Sequence, residues 1–270
     1  MKYTYFKVPT ALSEISSKSI SQKALKLYLV HCRHINKRKN VGCSLAGLRS
    51  ARIHIGLDEE SFKGATEELV KKNLIVIRDD VGTGIYKGDA VEVLKFPKYN
   101  KQKNTFMRSK KKEKQHRTYE DGEYINVPAA IVDGGWLKQM DSKSVLFLLR
   151  LYSQIDPETG YANINKFYML QEKVTEAEVD QPTTVESKTR ILASGEIDLE
   201  AMYQLMHLKL ISYEHVVKYQ DPDDPSLCYI DMKQSPAVFK EEAEQGTSRI
   251  GCSIAVALKL RYFIHPDLLK

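Results

Sequence analysis

A short segment near the start of this 270-residue chain returns in its second half. Tyr5–Ala11 (YFKVPTA) and Tyr124–Ala130 (YINVPAA) begin 119 residues apart. Ser21–Leu29 (SQKALKLYL) also resembles Asp141–Leu149 (DSKSVLFLL), with one residue of slippage. Self-similarity at a fixed spacing indicates a duplicated structural unit. Since a chain of this length has room for about two domains, the sequence predicts two related domains.

Each copy opens with an amphipathic helix. Ser21 and Asp141 stand just before the apolar runs, at the N-cap position, where a short side chain accepts a hydrogen bond from the first helical turn. Polar turns at 36–42 and 156–160 end these helices. The apolar positions recur at helical spacing in both copies: Leu25, Tyr28, Leu29 and Cys32 in the first, and Val145, Leu148, Leu149 and Tyr152 in the second.

Two further helices and a strand follow in each copy. Second helices are predicted from Ser44 and from Asn163, and a third helix leads into a strand that follows Asn73 in one copy and Lys209 in the other. The buried positions of the third helices are Phe62, Ala65, Leu69 and Val70 in the first copy, and Ile197, Ala201, Leu205 and Met206 in the second. These helices lie 136 residues apart, so the second copy carries about 17 additional residues, which we place around 175–195.

This order of helices, strand, glycine-containing turn and returning strand resembles the winged helix-turn-helix family. The residues that carry the resemblance are Leu45–Leu48, Ile53–Leu57, Phe62–Ala65, Leu69 and Asn73–Ile75. It covers residues 20–95 and, more loosely, 124–235. The implied wings are Asp79–Gly88, with a returning strand at Val91–Leu94, and Gln220–Pro225, with a returning strand at Tyr229–Met232.

The predicted fold is α+β and mainly helical, with two winged helix-turn-helix domains related by internal duplication, each with a small β wing. Domain 1 spans residues 1–94, a basic linker spans 95–120, and domain 2 spans 121–235 with its insertion near 175–195. Residues 236–270 form a C-terminal helix, which Ser235-Pro236 begins, and a strand, because residues 253–264 alternate in polarity. A buried helix is the competing interpretation of this last segment.

Composition places the chain among cytoplasmic proteins. Hydrophobic residues make up 42% and charged residues 28%, values typical of globular domains. No apolar run approaches the length of a membrane span, and residues 1–6 lack the apolar core of a signal peptide. The four cysteines form no CxxC pair, as expected for a reducing compartment.

The charge is unevenly distributed. The net charge is +6, yet residues 95–117 hold ten basic residues and one acid, so this segment carries +9 and the remainder −3. A concentrated cationic segment in a nearly neutral chain indicates a polyanionic partner. The alternative is a solvated linker that its charge keeps soluble.

The resemblance implies double-stranded DNA binding, with the third helix in the major groove and the wing on the phosphate backbone. In the first copy, Lys63 is expected to contact a base edge and Ser61 a phosphate. In the second, Gln204 is expected to read adenine and His207 to contact a phosphate. The further predicted DNA-binding residues are Arg49, Arg52, Lys71 and Lys87, the linker residues Lys101, Lys103, Arg108, Lys110, Lys111, Lys112, Lys114 and Arg117, and Lys188 and Arg190 of the insertion.

Two observations leave alternatives open. Arg49 and Arg52 can also be explained as solvated surface charges. Asp58, Glu59 and Glu60 stand where a recognition helix meets DNA, and carboxylates repel phosphates. These acids either cap the helix only, or the first copy docks differently, or it binds protein.

No pattern indicates catalysis, a cofactor or a metal. His31, Cys32, His34 and Cys43 fall on one helix and the turn after it, without the second ligand set of a zinc site. Gly82-x-Gly84 lacks the third glycine of a dinucleotide motif, and no phosphate-loop motif is present. We therefore expect a non-enzymatic protein without cofactors.

Two winged helices joined by a basic linker resemble plasmid replication initiators. The resemblance implies that the chain binds repeated origin sites, opens the nearby duplex, forms a homodimer and recruits host replication proteins. The alternatives are a transcriptional regulator with two winged-helix domains, and a relaxosome or chromosome-organising accessory protein whose winged helices bind other proteins.

Overall fold

The computed structural model describes residues 5–13, 15–35, 43–44, 46–78, 90–93, 97–100, 102–108, 124–156, 159–162, 199–220, 228–231, 235–246 and 252–263. Within these ranges the helices are α1 (Gln22–Arg33), α2 (Leu48–Ile55), α3 (Glu59–Lys71), α4 (Ala130–Asp133), α5 (Trp136–Gln139), α6 (Ser142–Ser153), α7 (Leu199–His207) and α8 (Pro236–Glu244). The strands are β1 (Tyr5–Pro9), β2 (Cys43–Ser44), β3 (Ile75–Arg78), β4 (Ala90–Val93), β5 (Pro97–Asn100), β6 (Thr105–Arg108), β7 (Tyr124–Pro128), β8 (Ile211–Gln220), β9 (Cys228–Asp231) and β10 (Cys252–Leu260). One 3-10 turn, Thr10–Leu12, follows β1.

The chain is therefore of mixed α+β type, and helices hold more of the described residues than strands do. No helix in the described ranges combines the length and the apolar character needed to cross a membrane.

The first half combines three helices with a three-stranded antiparallel sheet. β3 pairs with β4, and β2 pairs with the other edge of β4, which gives the strand order β2-β4-β3. α1 packs against α2 and α3. The predicted returning strand at 91–94 is confirmed as β4, whereas the predicted wing at 79–88 lies outside the described residues.

The second helix of this half begins later than the sequence predicts. A start at Ser44 is wrong, because Ser44 is buried in β2, where its hydroxyl accepts a hydrogen bond from the Ala46 amide at 3.1 Å. α2 begins after Gly47 and ends at Gly56. The φ of +71° at Gly56 lies in the left-handed region that glycine adopts without steric cost.

The second half also contains a three-stranded antiparallel sheet. β8 pairs with both β10 and β9, which gives the order β10-β8-β9, and the Ala162 amide donates to the Leu258 carbonyl on the far edge of β10. β10 thus holds the place that β4 has in the first half. A strand predicted at 229–232 is confirmed as β9. It pairs with the edge of β8 that does not contact β10, so it does not occupy the position that β4 has in the first half.

The segment after β9 also follows the sequence prediction. The Ser235 hydroxyl caps α8 by accepting from the Val238 amide, and Pro236 occupies the first helical turn. β10 is a strand paired with β8 over nine positions, so the competing helix interpretation is wrong. The predicted helix from Asn163 and the insertion at 175–195 lie outside the described residues.

The two halves use the same contacts at matching positions. Ser21 and Asp141 cap α1 and α6, as predicted. The amide of Ser21 donates to the Glu68 carboxylate at 2.9 Å, and that of Asp141 donates to the Gln204 side-chain carbonyl at 3.0 Å. Glu68 and Gln204 are 136 residues apart, which is the spacing of the third helices.

The third helices also end in the same way. Asn73 and Lys209, again 136 residues apart, both have a φ of +56°. The Leu74 amide then donates to the Leu69 carbonyl at 3.0 Å, and the Leu210 amide donates to the Leu205 carbonyl at 2.9 Å. This is the hydrogen-bond pattern of a helix closed by a left-handed residue.

The repeated first strands join the two halves. β1 and β7 pair antiparallel from Tyr5↔Pro128 to Pro9↔Tyr124, with Lys7 opposite Asn126 at the centre. Because Tyr5 matches Tyr124 and Pro9 matches Pro128 in the repeat, exchanging the copies reproduces the same pairing. The register therefore defines a local two-fold axis between the two strands.

Helix packing follows the same two-fold relation. α1 packs on α4 of the second half, while α6 packs on the 3-10 turn of the first half. Arg33 donates to both carboxylate oxygens of Asp133, and Arg150 donates to the carbonyls of Ser13 and Ile15. Buried side chains from both halves form one apolar cluster.

A hairpin forms within the segment that the sequence analysis treats as linker. β5 and β6 pair antiparallel, and Phe106 of β6 is 1% exposed within the shared apolar cluster. β5 also packs on the 3-10 turn. This part of the basic segment therefore belongs to the folded first half.

We expect Lys209→Gly to raise the free energy of unfolding by about 0.5–1 kcal/mol, because a side chain with a Cβ pays steric strain at a positive φ. Urea denaturation followed by circular dichroism measures the change. Lys209→Ala is the matched control, since it keeps the Cβ and should leave stability nearly unchanged. Equal stability of the glycine and alanine variants would contradict the left-handed conformation at this position.

Candidate nucleic-acid interface

α2 presents two guanidinium groups on its outer face. Arg49 and Arg52 are exposed, whereas Ala51 and Ile55 are buried against the core. Ile53 lies beside the arginines and is 56% exposed. Two cations next to an exposed apolar side chain can bind a phosphate backbone and contact a sugar or base edge.

The N-terminal end of α3 is acidic. Asp58 caps the helix by accepting from the Ser61 amide at 2.7 Å, and this hydrogen bond holds the pKa of Asp58 below its ordinary value, with smaller contributions from Lys23 and Arg52. Glu59 and Glu60 follow on the exposed surface. The cap explains Asp58, but three carboxylates at one helix end repel phosphates.

The predicted contact residues on α3 differ in their surroundings. Ser61 accepts a hydrogen bond from the Lys23 ammonium at 2.8 Å, so its hydroxyl serves a contact between α1 and α3. Lys63 and Lys71 are exposed. Gly64 beside Lys63 has open space around it, and a Cβ built there would meet no atom within 4 Å.

α7 of the second half is engaged with α6. Gln204 is half-buried, and its side-chain carbonyl accepts the Asp141 amide, so that oxygen positions α6 against α7. Glu200 pairs with Lys143 at 2.6 Å. His207 and Tyr203 are exposed. The contact of Gln204 with adenine stays a prediction. Because the side-chain oxygen is engaged, the contact would be made by the side-chain NH2 group.

Two of the predicted linker cations, Lys103 and Arg108, lie within the described residues. Lys103 is exposed in the turn of the β5–β6 hairpin, and Arg108 is the last residue of β6. The other predicted cations lie outside the described residues: Lys87, Lys101, Lys110, Lys111, Lys112, Lys114, Arg117, Lys188 and Arg190.

Three histidines meet where α1 approaches β2 and α2. The Nδ1 atom of buried His31 lies 3.2 Å from the Ser44 hydroxyl, and the Nε2 atoms of His34 and His54 lie 3.2 Å apart. Burial lowers the pKa of His31 to about 4, with a smaller effect from His34. Burial, followed by the charge of His54, also lowers the pKa of His34. The sequence did not indicate that His54 belongs to this cluster, because its partner His34 is 20 residues away along the chain.

The described residues contain no group of three His, Cys, Asp or Glu side chains placed to hold a metal ion. Burial raises the pKa of the Cys32 thiol to about 12. The contact between His34 and His54 joins α1 to α2.

The contacts that orient α2 were not visible in the sequence. α2 packs on α1, α3 and α5, so its arginines are fixed relative to both halves. Lys26 of α1 is buried, and its ammonium lies 3.5 Å from the Lys138 carbonyl of α5. Burial lowers the pKa of Lys26, and the nearby Asp141 carboxylate partly offsets this effect.

Taken together, α2 and the hairpin turn present cations, and the start of α3 presents acids. The arrangement can bind a polyanion beside α2. Comparison of the chain with family models, curated proteins and solved structures gave no match.

We expect folding stability to fall with decreasing pH through His31. Its ordinary pKa is 6.5 and its folded pKa is about 4, so between these values the unfolded chain binds a proton that the folded chain excludes. The loss amounts to about 2 kcal/mol between about pH 7.5 and about pH 5. Urea denaturation at both pH values measures it.

His31→Asn is the matched variant, because asparagine offers an amide to Ser44 but does not titrate in this range. Its free energy of unfolding should lose about 2 kcal/mol less than that of the wild type over the same pH interval. An identical pH dependence in both proteins would show that His31 is not buried in its neutral form.

Proposed function

We propose that this chain is a cytoplasmic double-stranded DNA-binding protein with two winged helix-turn-helix units, and that it acts as a plasmid or phage replication initiator at repeated origin sites. The observation that carries the proposal is the order α1-β2-α2-α3-β3-β4 with the sheet order β2-β4-β3. This is the order of helices, strand and returning strand found in winged helices. The exposed Arg49 and Arg52 on α2 add a cationic surface to it.

Internal duplication is supported by contacts that recur at equivalent positions. The caps at Ser21 and Asp141, the contacts from Glu68 and Gln204, and the left-handed residues that end α3 and α7 form matching sets. β8 and β10 correspond to β3 and β4 in this comparison. β9 and α8 are then additions between the two sheet strands of the second unit.

The two-fold register of β1 and β7 bears on how such a protein binds DNA. Two units related by a two-fold axis act like the subunits of a symmetric dimer, whose half-sites are inverted and about one helical turn apart. A monomer of this chain would then cover both halves of one site. Repeated sites along an origin would bind several monomers, and a homodimer and host replication proteins are further partners in this proposal.

A protein-binding accessory role is the second candidate. It is favoured by the acidic start of α3, where Asp58, Glu59 and Glu60 would attract a basic protein surface and repel DNA. A two-domain transcriptional regulator shares the DNA binding of the initiator and differs in its sites, which would be single inverted repeats at promoters rather than repeated sites at an origin.

We expect the intact protein to enrich duplex fragments from a random pool, and each enriched site to contain inverted half-elements. Arg49→Gln/Arg52→Gln should weaken binding by about tenfold or more and reduce the slope of log K against log salt by about 2, since each lost phosphate contact removes about one unit. Fluorescence anisotropy at several salt concentrations measures both quantities.

Lys18→Gln is the control, because Lys18 is exposed in the segment between the 3-10 turn and α1, outside the predicted DNA-contacting helices and wings. Its affinity and salt slope should equal those of the wild type. If no fragment is enriched and no duplex binds at low salt, the DNA proposal is wrong and the protein-binding role takes its place.

A further inference from the structure

We propose that the turn of the β5–β6 hairpin and the last turn of α3 form one phosphate-binding surface, the hairpin surface, defined by Lys71, Lys103 and Gln102. In the first half the duplex would then contact the C-terminal end of α3 in addition to the arginines of α2. This inference rests on the proposed DNA binding and specifies the face that makes the contact.

The hairpin is fixed to the end of α3. The Phe106 amide donates to the Lys72 carbonyl at 2.9 Å, and the Lys72 ammonium donates to the Asn104 carbonyl at 3.3 Å. The aromatic ring of Phe106 is buried in the apolar cluster. Helix and hairpin therefore present their side chains from one rigid unit.

The turn itself is held in one conformation. The Asn100 side-chain carbonyl accepts the amides of Gln102 and Lys103 at 3.0 and 3.1 Å. Asn104 closes the turn with a φ of +48°, which asparagine tolerates better than most residues. Lys103 is therefore exposed at an ordered tip, and a cation on an ordered backbone loses less entropy on binding a phosphate.

Charge along α3 favours its C-terminal end. Asp58, Glu59 and Glu60 mark the start of the helix, and Glu67 lies near its middle. Lys71 is exposed in the last turn and has no ion-pair partner among the described residues. Lys63 is an exposed cation near the acidic end of the helix. A duplex that approaches the C-terminal end meets cations and avoids three carboxylates.

The dipole of α3 disfavours phosphate binding at its C-terminal end, but neighbouring groups partly compensate this effect. The C-terminus of a helix carries about half a negative charge on its unsatisfied carbonyls. Here the Lys72 carbonyl is occupied by the Phe106 amide, and two lysines at the helix end supply positive charge. The net charge of the surface is therefore positive.

Two pairs of substitutions in the intact protein test the proposal on a selected duplex fragment. Lys71→Gln/Lys103→Gln should weaken binding by about tenfold or more and lower the salt slope by about 2. Glu59→Gln/Glu60→Gln should change the affinity by less than about twofold, since neither exposed carboxylate belongs to the hairpin surface and salt screens both of them. Lys18→Gln is again the control, for loss of an exposed cation that is not part of the hairpin surface.

Site-directed crosslinking separates a direct contact from a general charge effect. A photoactivatable thiol reagent is attached to Lys103→Cys or to Glu60→Cys, and DNA crosslinks are counted above the background of the unsubstituted protein. We expect Lys103→Cys to crosslink the duplex and Glu60→Cys to remain at background.

The opposite results overturn the inference. One such result is that Lys71→Gln/Lys103→Gln leaves the duplex affinity and its salt slope unchanged. Another is that Glu59→Gln/Glu60→Gln greatly raises the affinity, and a third is that residue 60 crosslinks to the duplex in place of residue 103. If these appear while the wild type binds duplex DNA, the hairpin surface is wrong and the proposed function stands. If the wild type binds no duplex, both fail. Weakened single-strand binding with unchanged duplex binding also overturns the inference.

Discussion

The antiparallel pairing of β1 with β7 is the constraint on which the arrangement of the two halves depends. Phe6 and Val8 of one strand and Ile125 and Val127 of the other are buried in the shared cluster, so each strand lies in the core of both halves. The ion pair between Arg33 and Asp133 is partly exposed and contributes about 1 kcal/mol or less by comparison. Apolar burial, more than charge, therefore joins the halves.

That junction also fixes the surfaces that can meet a partner. α1 contacts β1, α2, α3 and α4, so a displacement of the strand pair would move the arginine-bearing face of α2 relative to the second half. Phe106 extends the same core to the hairpin, which brings Lys103 beside the end of α3. The cationic groups are thus positioned by apolar contacts beneath them, while the groups themselves remain exposed for a polyanion.

Much of the local structure could be predicted from the sequence. The caps at Ser21 and Asp141 and the buried positions of α1 and α6 follow from short-range patterns, and they are confirmed. On α3 the prediction is wrong for Val70, which is 38% exposed because it lies beside Leu69 at the edge of the buried face. The exposure of Arg49 and Arg52 follows from the same periodicity. The engagement of Ser61 and Gln204 could not be predicted, because their partners Lys23 and Asp141 come from helices 38 and 63 residues away.

The sequence by itself determined the similarity of its two segments, the capped helices α1 and α6 and the concentration of positive charge in residues 95–117, since each can be seen along the chain without knowledge of the fold. Tertiary structure decided that β1 pairs with β7, that β10 holds the place of β4, and that part of the basic segment folds as a hairpin on α3. Strand pairing joins residues far apart in the sequence, and an alternating pattern shows which face is buried but not which strand will lie beside it.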